Sequence, residues 1–150
     1  MTVIRQLLEN RLLWVGVLGW FVAQSLKLIL TLIVEKRLDW TRMYGLGGMP
    51  SSHTSVVVSV TVAVGIRMGF NSALFAISLA LALITITDAM GVRRQAGKQA
   101  AVLNRVVQEL VENGGDLPEE TLKELLGHSP LQVFVGALLG LVIALITARG

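Results

Sequence analysis

The chain contains no cysteine, which excludes disulfide bonds, thiolate metal sites and cysteine nucleophiles. Charged residues are also scarce, at 15% of the 150 residues, whereas an ordinary soluble domain has about 25%. Only 5% of the residues are aromatic although 53% are hydrophobic, so aliphatic residues and alanine supply most of the apolar mass. This composition is typical of packed transmembrane helices and argues against a soluble core.

The apolar residues fall into long runs that predict an all-α, integral membrane helical bundle with about four transmembrane helices. The predicted spans are residues 12–34, 52–67, 72–88 and 130–147. The first run is long enough to cross ~30 Å of hydrocarbon at ~1.5 Å per residue. We therefore expect a single domain, residues 1–150, in the cell membrane.

A polar insertion of about residues 91–127 separates the third and fourth predicted spans. Apolar residues recur in its first part at helical spacing, which predicts an amphipathic helix at the lipid headgroups. Asn113 and the two glycines after it end this pattern. Asp116 and Glu119 then predict the capped start of a second, shorter helix.

Four spans place both chain termini and the turn at Arg67 on one side of the membrane, and the first loop and the insertion on the other. The first side carries Arg5, Arg11, Arg67 and Arg149. The second side carries Lys36, Arg37, Arg42, Arg93, Arg94, Lys98, Arg105 and Lys123. The positive-inside rule predicts that the second side is cytoplasmic. The two sides carry equal numbers of cations when the four candidate anion-binding cations Arg42, Arg93, Arg94 and Lys98 are left out.

The segment between the first two spans is Gly47-Gly48-Met49-Pro50-Ser51-Ser52-His53-Thr54. Its glycines free the backbone, and Pro50 favours a helix start. The N–H groups at a helix N-terminus bind anions, and a histidine there can exchange protons with the bound group. At a membrane surface this combination predicts chemistry on a lipid phosphate.

Other polar residues of the second side occur where spans end. Asp88, Arg93, Arg94 and Lys98 follow the third span, and His128 precedes the fourth. Lys27 lies inside the first span; its side chain could extend to the interface, but a cation within the membrane more often has a function. Helix ends that converge at one depth can build a site.

These residues suit phosphate-ester hydrolysis without a metal, which needs cations and N–H donors around the phosphoryl oxygens, a nucleophile and an acid. Lys27, an arginine and the Ser51–Ser52 segment can hold the phosphate. His53 and His128 can divide the roles of acid and nucleophile. The two histidines and the carboxylates lack metal-ligand spacing, so we expect neither a metal nor another cofactor.

Three blocks in this order resemble the divergent branch of the type-2 phosphatidic acid phosphatase superfamily, which includes lipid phosphatases and vanadium haloperoxidases. The blocks are Gly47–Thr54, Asp88–Gln99 and Gly127–Gly140. The resemblance implies that Lys27 and Arg42 supply the first-motif cations and that Ser51, Ser52 and His53 form the second motif. It further implies that Arg93 or Arg94 is the third-motif arginine and that His128 is the nucleophile.

The chain departs from the superfamily pattern at three points. The first motif lacks its usual Arg-Pro ending, and the insertion separates the third-motif arginine from His128. Gln132 stands where an aspartate orients the nucleophilic histidine. An amide oxygen can accept from the imidazole but brings no charge, and loss of the aspartate charge in a serine-protease triad costs on the order of 10⁴ in rate. Asp88 or another carboxylate could compensate.

The resemblance implies a metal-independent lipid phosphate or pyrophosphate phosphatase that forms a phosphohistidine. A non-catalytic binder or carrier of lipid phosphate is the alternative that Gln132 favours. A small ion transporter using Lys27 and Asp88 is a third hypothesis, although four short spans leave little room for alternating access. The expected partners are a lipid phosphate and membrane lipids, with no nucleic acid; a homo-oligomer is left open.

Overall fold

The computed structural model describes residues 2–36, 48–113 and 127–147, whose regular structure is entirely helical. The helices are α1 Val3–Glu9, α2 Arg11–Glu35, α3 Ser52–Met68, α4 Ala73–Met90, α5 Val92–Glu112 and α6 Pro130–Thr147. Helices α2, α4 and α6 belong to runs long and apolar enough to cross a membrane, and α3 is a shorter apolar helix. The protein is therefore a helical membrane bundle, as its composition predicts.

Helix α3 lies at the centre of the bundle and packs against α2, α4 and α6. Two of its hydroxyl groups donate hydrogen bonds to neighbouring helices: Ser55 Oγ to the carbonyl of Gly19, and Thr61 Oγ1 to that of Ser78, both at 3.0 Å. Hydroxyl groups inside a bilayer need such partners because hydrocarbon offers none. These bonds tie α3 to α2 and α4.

Glycines allow α6 to approach α3 closely. A Cβ atom on Gly136 would lie 2.5 Å from the carbonyl oxygen of Ser51, and one on Gly140 would lie 2.5 Å from that of Ser55. Both distances are far below van der Waals contact. Both glycines therefore serve the close packing of α6 on α3.

A cluster of buried apolar residues lies between α2, α3 and α6 and is formed by Val15, Ala63, Ile143 and Ala144. Large aliphatic side chains elsewhere point outward; Ile77 is 66% exposed and Ile146 is 73% exposed. A soluble protein rarely exposes so much contiguous apolar surface. This surface suits contact with lipid chains.

The ends of the helices alternate between two faces of the bundle. Glu9, Asn10 and Arg11, at the start of α2, share a surface pocket with Arg67 and Met68, at the end of α3. The starts of α3 and α6 lie together at the opposite face, where the backbone N–H of Ser51 donates to the carbonyl of Gln132. The predicted separation of the Arg67 turn from the histidine-bearing segments is thus confirmed.

Two helices lie outside the bundle. Helix α1 was not expected; it is short and exposed, with an Arg5–Glu9 ion pair of 2.7 Å. Helix α5 follows α4 after Gly91 alone, so it starts directly at the end of a span. Its polar and apolar residues segregate as predicted, and Val92, Leu103 and Leu110 are more than half exposed. The second predicted insertion helix lies outside the described residues.

Candidate functional site

Lys27 is placed against the backbone of the segment that precedes α3. Its side chain is only 3% exposed, and a Cβ atom on Gly48 would lie 3.2 Å from its Cδ. Gly48 also has a φ of +84°, a conformation that residues with side chains rarely adopt. Both constraints favour glycine at this position, so Gly48 lets the chain cross directly over the lysine.

Ser51 caps the N-terminus of α3. Its Oγ accepts from the backbone N–H of Thr54 at 3.4 Å and from the Thr54 hydroxyl at 2.9 Å. Pro50 lies one residue before this cap, after a cis peptide bond with Met49, so it precedes the first helical turn. Ser51 and Thr54 are fully buried, and the start of α3 is consequently held in one arrangement.

Three helices meet at this end of the bundle through backbone hydrogen bonds. The N–H of Ser51 donates to the carbonyl of Gln132 at 3.1 Å, which joins the starts of α3 and α6. The N–H of His128 donates to the carbonyl of Ala89 at 3.1 Å, which joins the segment before α6 to the last turn of α4. We call the group Lys27, Ser51, His53, His128 and Gln132 the polar junction.

Gln132 makes a reciprocal cap at the start of α6. Its Oε1 accepts from the N–H of Ser129 at 3.0 Å, and its own N–H donates to Ser129 Oγ at 3.3 Å. The same Oε1 lies 3.2 Å from Nδ1 of His128, whose side chain is 6% exposed. Ser129 is thus the N-cap of α6, and Pro130 occupies the first helical position.

This network assigns the tautomer of His128. Because the Ser129 N–H needs an acceptor, the amide oxygen of Gln132, and not its NH₂ group, lies at this position. That oxygen can pair with Nδ1 only if Nδ1 carries the hydrogen. A neutral His128 then has its lone pair on Nε2, so Gln132 makes the contact expected of the residue that orients a nucleophilic imidazole.

His53 lies at the second position of α3 with an exposed side chain, while its neighbours Ser52 and Thr54 are buried. The first N–H groups of an α-helix have no acceptor within the helix and carry partial positive charge. The start of α3 therefore carries this partial positive charge beside an accessible imidazole, although the N–H of Thr54 is already bonded to Ser51 Oγ. An anion there could receive hydrogen bonds while His53 exchanges a proton with it.

The other predicted site residues lie on adjoining segments or outside the described residues. Asp88 is half-buried and adjoins Ala89, the acceptor for His128. Arg94 is exposed in the first turn of α5, and Lys98 is exposed in the next, beside Val102. Arg42 and the side chain of Arg93 lie outside the described parts of the chain. Phosphate binding by all four cations stays a prediction.

Sequence reasoning did not assign a function to two buried polar residues that lie next to residues of the junction. Thr54 is fully buried and fixes the orientation of the Ser51 hydroxyl. Gln24 is 4% exposed and lies one helical turn from Lys27 on the same face of α2. Its position inside an apolar run was a usable signal, since polar side chains in a membrane span rarely face lipid.

Comparisons with known proteins agree with this arrangement. Residues 8–143, which are most of the chain, match the Divergent PAP2 family. The chain is also 40% identical over 153 residues to "Uncharacterized membrane protein YuiD" of Bacillus subtilis (strain 168), and the match covers 95% of this chain and 97% of that protein. No solved structure matches the chain. The matched range includes all the residues of the polar junction, and the protein belongs to the divergent PAP2 family.

Proposed function

We propose that this protein is an integral-membrane phosphatase of lipid phosphates or pyrophosphates, in which His128 forms a phosphohistidine intermediate. The observation that carries the proposal is the contact of Gln132 with Nδ1 of a buried His128. With the hydrogen on Nδ1, the lone pair is on Nε2, and we assign the nucleophilic attack to that atom. Membership of the divergent PAP2 family supports phosphatase-related chemistry.

In the first step, Nε2 of His128 attacks the phosphorus atom, and the bond from phosphorus to the leaving oxygen breaks. The electron pair of that bond passes to the oxygen, which takes a proton from the imidazolium of His53. Lys27 and the N–H groups at the start of α3 stabilise the charge on the three equatorial oxygens. The products are a lipid alcohol, or a lipid monophosphate, and phosphohistidine.

In the second step, water attacks the phosphorus atom of the phosphohistidine. Neutral His53 accepts one proton from that water, and the bond between phosphorus and Nε2 breaks with its electron pair returning to Nε2. Inorganic phosphate leaves, and both histidines regain their starting forms. Gln132 holds the imidazole in position through both steps without becoming charged.

Phosphate release from lipid substrates tests the proposal. Purified protein in detergent is given phosphatidate, phosphatidylglycerol phosphate and a polyprenyl pyrophosphate, with and without Mg²⁺ and vanadate. We expect release without added metal, inhibition by vanadate, and loss of release in His128→Ala and in His53→Ala. His128→Ala with full activity would eliminate the proposed nucleophile. Arg67→Ala, at the opposite face of the bundle, is the control that retains activity.

A non-catalytic binder of lipid phosphate is the second candidate, and the neutral side chain of Gln132 favours it. Without a carboxylate beside His128, charge that develops on the imidazole receives less stabilisation. Such a protein would keep the cation and the N–H donors around the phosphate. It would bind a lipid phosphate in a Lys27-dependent manner yet give no turnover of any lipid tested, even in single-turnover assays with excess protein.

A further inference from the structure

An open apolar groove of about 580 Å³ runs along the outside of the bundle between α2 and α3. Its lining includes Leu13, Val17 and Trp20 on α2 and Val56, Val60 and Val64 on α3. The α2 side chains are 40–46% exposed, so the groove is open sideways toward the lipid. Gly16 also lines the groove, and Val60 packs closely on it: a Cβ atom on Gly16 would lie 2.9 Å from Cγ2 of Val60.

The groove and the polar junction lie on the same stripe of each helix. On α3, His53 is three, seven and eleven residues before Val56, Val60 and Val64, which is the spacing of one helical face. On α2, Trp20 is followed on its own face by Gln24 and Lys27 for the same reason. His53 therefore lies about one turn beyond Val56, and Lys27 about two turns beyond Trp20, at the end of the groove nearer to the start of α3.

We propose that this groove holds the hydrocarbon chain of the lipid whose phosphate binds at the polar junction. The inference rests on the proposed function, which concerns the phosphate group of the lipid, and it adds a binding site for the hydrocarbon chain. From His53 to Val64 the rise is about 16 Å at ~1.5 Å per residue, roughly half of the ~30 Å hydrocarbon core. A long alkyl or prenyl chain fits this length, and the aliphatic lining gives it dispersion contacts without polar groups.

The groove also explains how such a substrate enters. Because its side is open, a lipid can move in laterally with its chain still in hydrocarbon and its phosphate at the level where α3 begins. At Gln24 and Lys27 the same face of α2 becomes buried, so the open channel ends where the polar groups begin. The substrate class is then a phosphate or pyrophosphate ester with a long chain, and short-chain esters lose these contacts.

Filling the groove tests the inference. Val60→Trp places a bulky side chain in its middle, and Val142→Trp makes the same change on the exposed, lipid-facing surface of α6, where Val142 is 51% exposed. The substrates are dioleoyl and dihexanoyl phosphatidate in the same detergent. We expect Val60→Trp to lower the ratio of long-chain to short-chain kcat/KM on the order of tenfold, while Val142→Trp leaves that ratio at the wild-type value. Thermal melting in detergent confirms that both variants are folded.

An unchanged ratio in folded Val60→Trp overturns the inference, as does an equal loss on both substrates. A change in oligomeric state caused by Val60→Trp alone would instead assign the groove to a second copy of the chain. If the wild-type protein hydrolyses neither lipid, the phosphatase proposal fails. Native mass spectrometry of the bound lipid then tests whether the groove holds a hydrocarbon chain. Retention of dioleoyl phosphatidate by wild type and its loss from Val60→Trp supports the hydrocarbon site, whereas equal retention overturns it.

Discussion

The Oε1 atom of Gln132 lies 3.2 Å from Nδ1 of His128 while it also accepts the N–H of Ser129. One neutral oxygen thus both caps α6 and fixes the ring of the candidate nucleophile. Many histidine nucleophiles and bases are oriented by a carboxylate, which adds charge to the same geometry. In this protein Gln132 makes the same contact with the imidazole but carries no negative charge.

Gln132→Glu is therefore expected to raise the rate of the proposed hydrolysis. The substitution keeps the size of the side chain and both acceptor contacts, and it adds a negative charge that stabilises the imidazolium formed when His128 accepts positive charge. We expect a gain of about tenfold or more, below the ~10⁴ that separates charged from neutral partners in a serine-protease triad. Single-turnover formation of phosphohistidine measures it.

The matched control is Gln132→Met, which keeps the length of the side chain but removes the acceptor. It should slow phosphohistidine formation, since Nδ1 of His128 and the N–H of Ser129 both lose their partner. If both variants phosphorylate His128 at the wild-type rate, Gln132 does not orient the ring.

Lys27→Met is expected to lower kcat/KM for a lipid phosphate about a hundredfold, the usual effect of removing one group that stabilises transition-state charge. The thioether chain fills the space beside Gly48, so folding should be retained. Lys36→Met, an exposed lysine at the end of the same helix, is the control and should change kcat/KM little. Equal effects of the two substitutions would show that only general surface charge matters.

Gly136→Ala is expected to destabilise the bundle by about 1–3 kcal/mol, since the added methyl group would overlap the carbonyl oxygen of Ser51. The same shift would disturb the Ser51–Gln132 hydrogen bond, so activity should fall along with the melting temperature. Ala80→Val adds methyl groups on an exposed face of α4 and should leave both values unchanged. A wild-type melting temperature for Gly136→Ala would contradict the close packing described.

The bundle itself could be predicted from the sequence because membrane spans obey a simple length and composition rule. The helices α2, α3, α4 and α6 begin and end within two residues of the predicted spans. Helix α1 was missed because its seven residues are too few to show a helical hydropathy pattern. The direct passage from α4 into α5 was also missed, since a glycine after an apolar run usually predicts a loop.

The site was predictable only in part. His53, His128 and Lys27 stood out because polar groups inside or at the ends of apolar runs are rare. The double role of Gln132 was not visible, because a single sequence does not reveal that one amide oxygen serves two donors. The groove was equally hidden, since Val56, Val60 and Val64 look like any other apolar residues until the packing of α2 against α3 shows that they line a common groove.

Helix α5 is expected to lie in the membrane interface with its apolar face toward the lipid chains. The chain has no cysteine, so Leu103→Cys and Arg105→Cys each introduce a single thiol on opposite faces of this helix. Both native side chains are exposed in the protein alone. In liposomes, a water-soluble maleimide should modify the thiol at position 103 roughly tenfold more slowly, because apolar surroundings suppress thiolate formation.

In protein unfolded in sodium dodecyl sulfate and urea the two thiols should react alike, which controls for sequence effects on the reagent. Equal rates in liposomes would mean that α5 projects into water and does not lie on the bilayer.

The distribution of cations predicts that the polar junction opens toward the cytoplasm. Asn71→Cys, in the turn between α3 and α4, and Arg105→Cys report the two faces of the bundle, and both native residues are exposed. With a membrane-impermeant maleimide on intact cells, we expect modification at position 71 and not at position 105, and the reverse selectivity in sealed inside-out vesicles. The opposite pattern would place the junction on the outer face. The cations around it would then have to be explained by phosphate binding, because the positive-inside rule could not account for them.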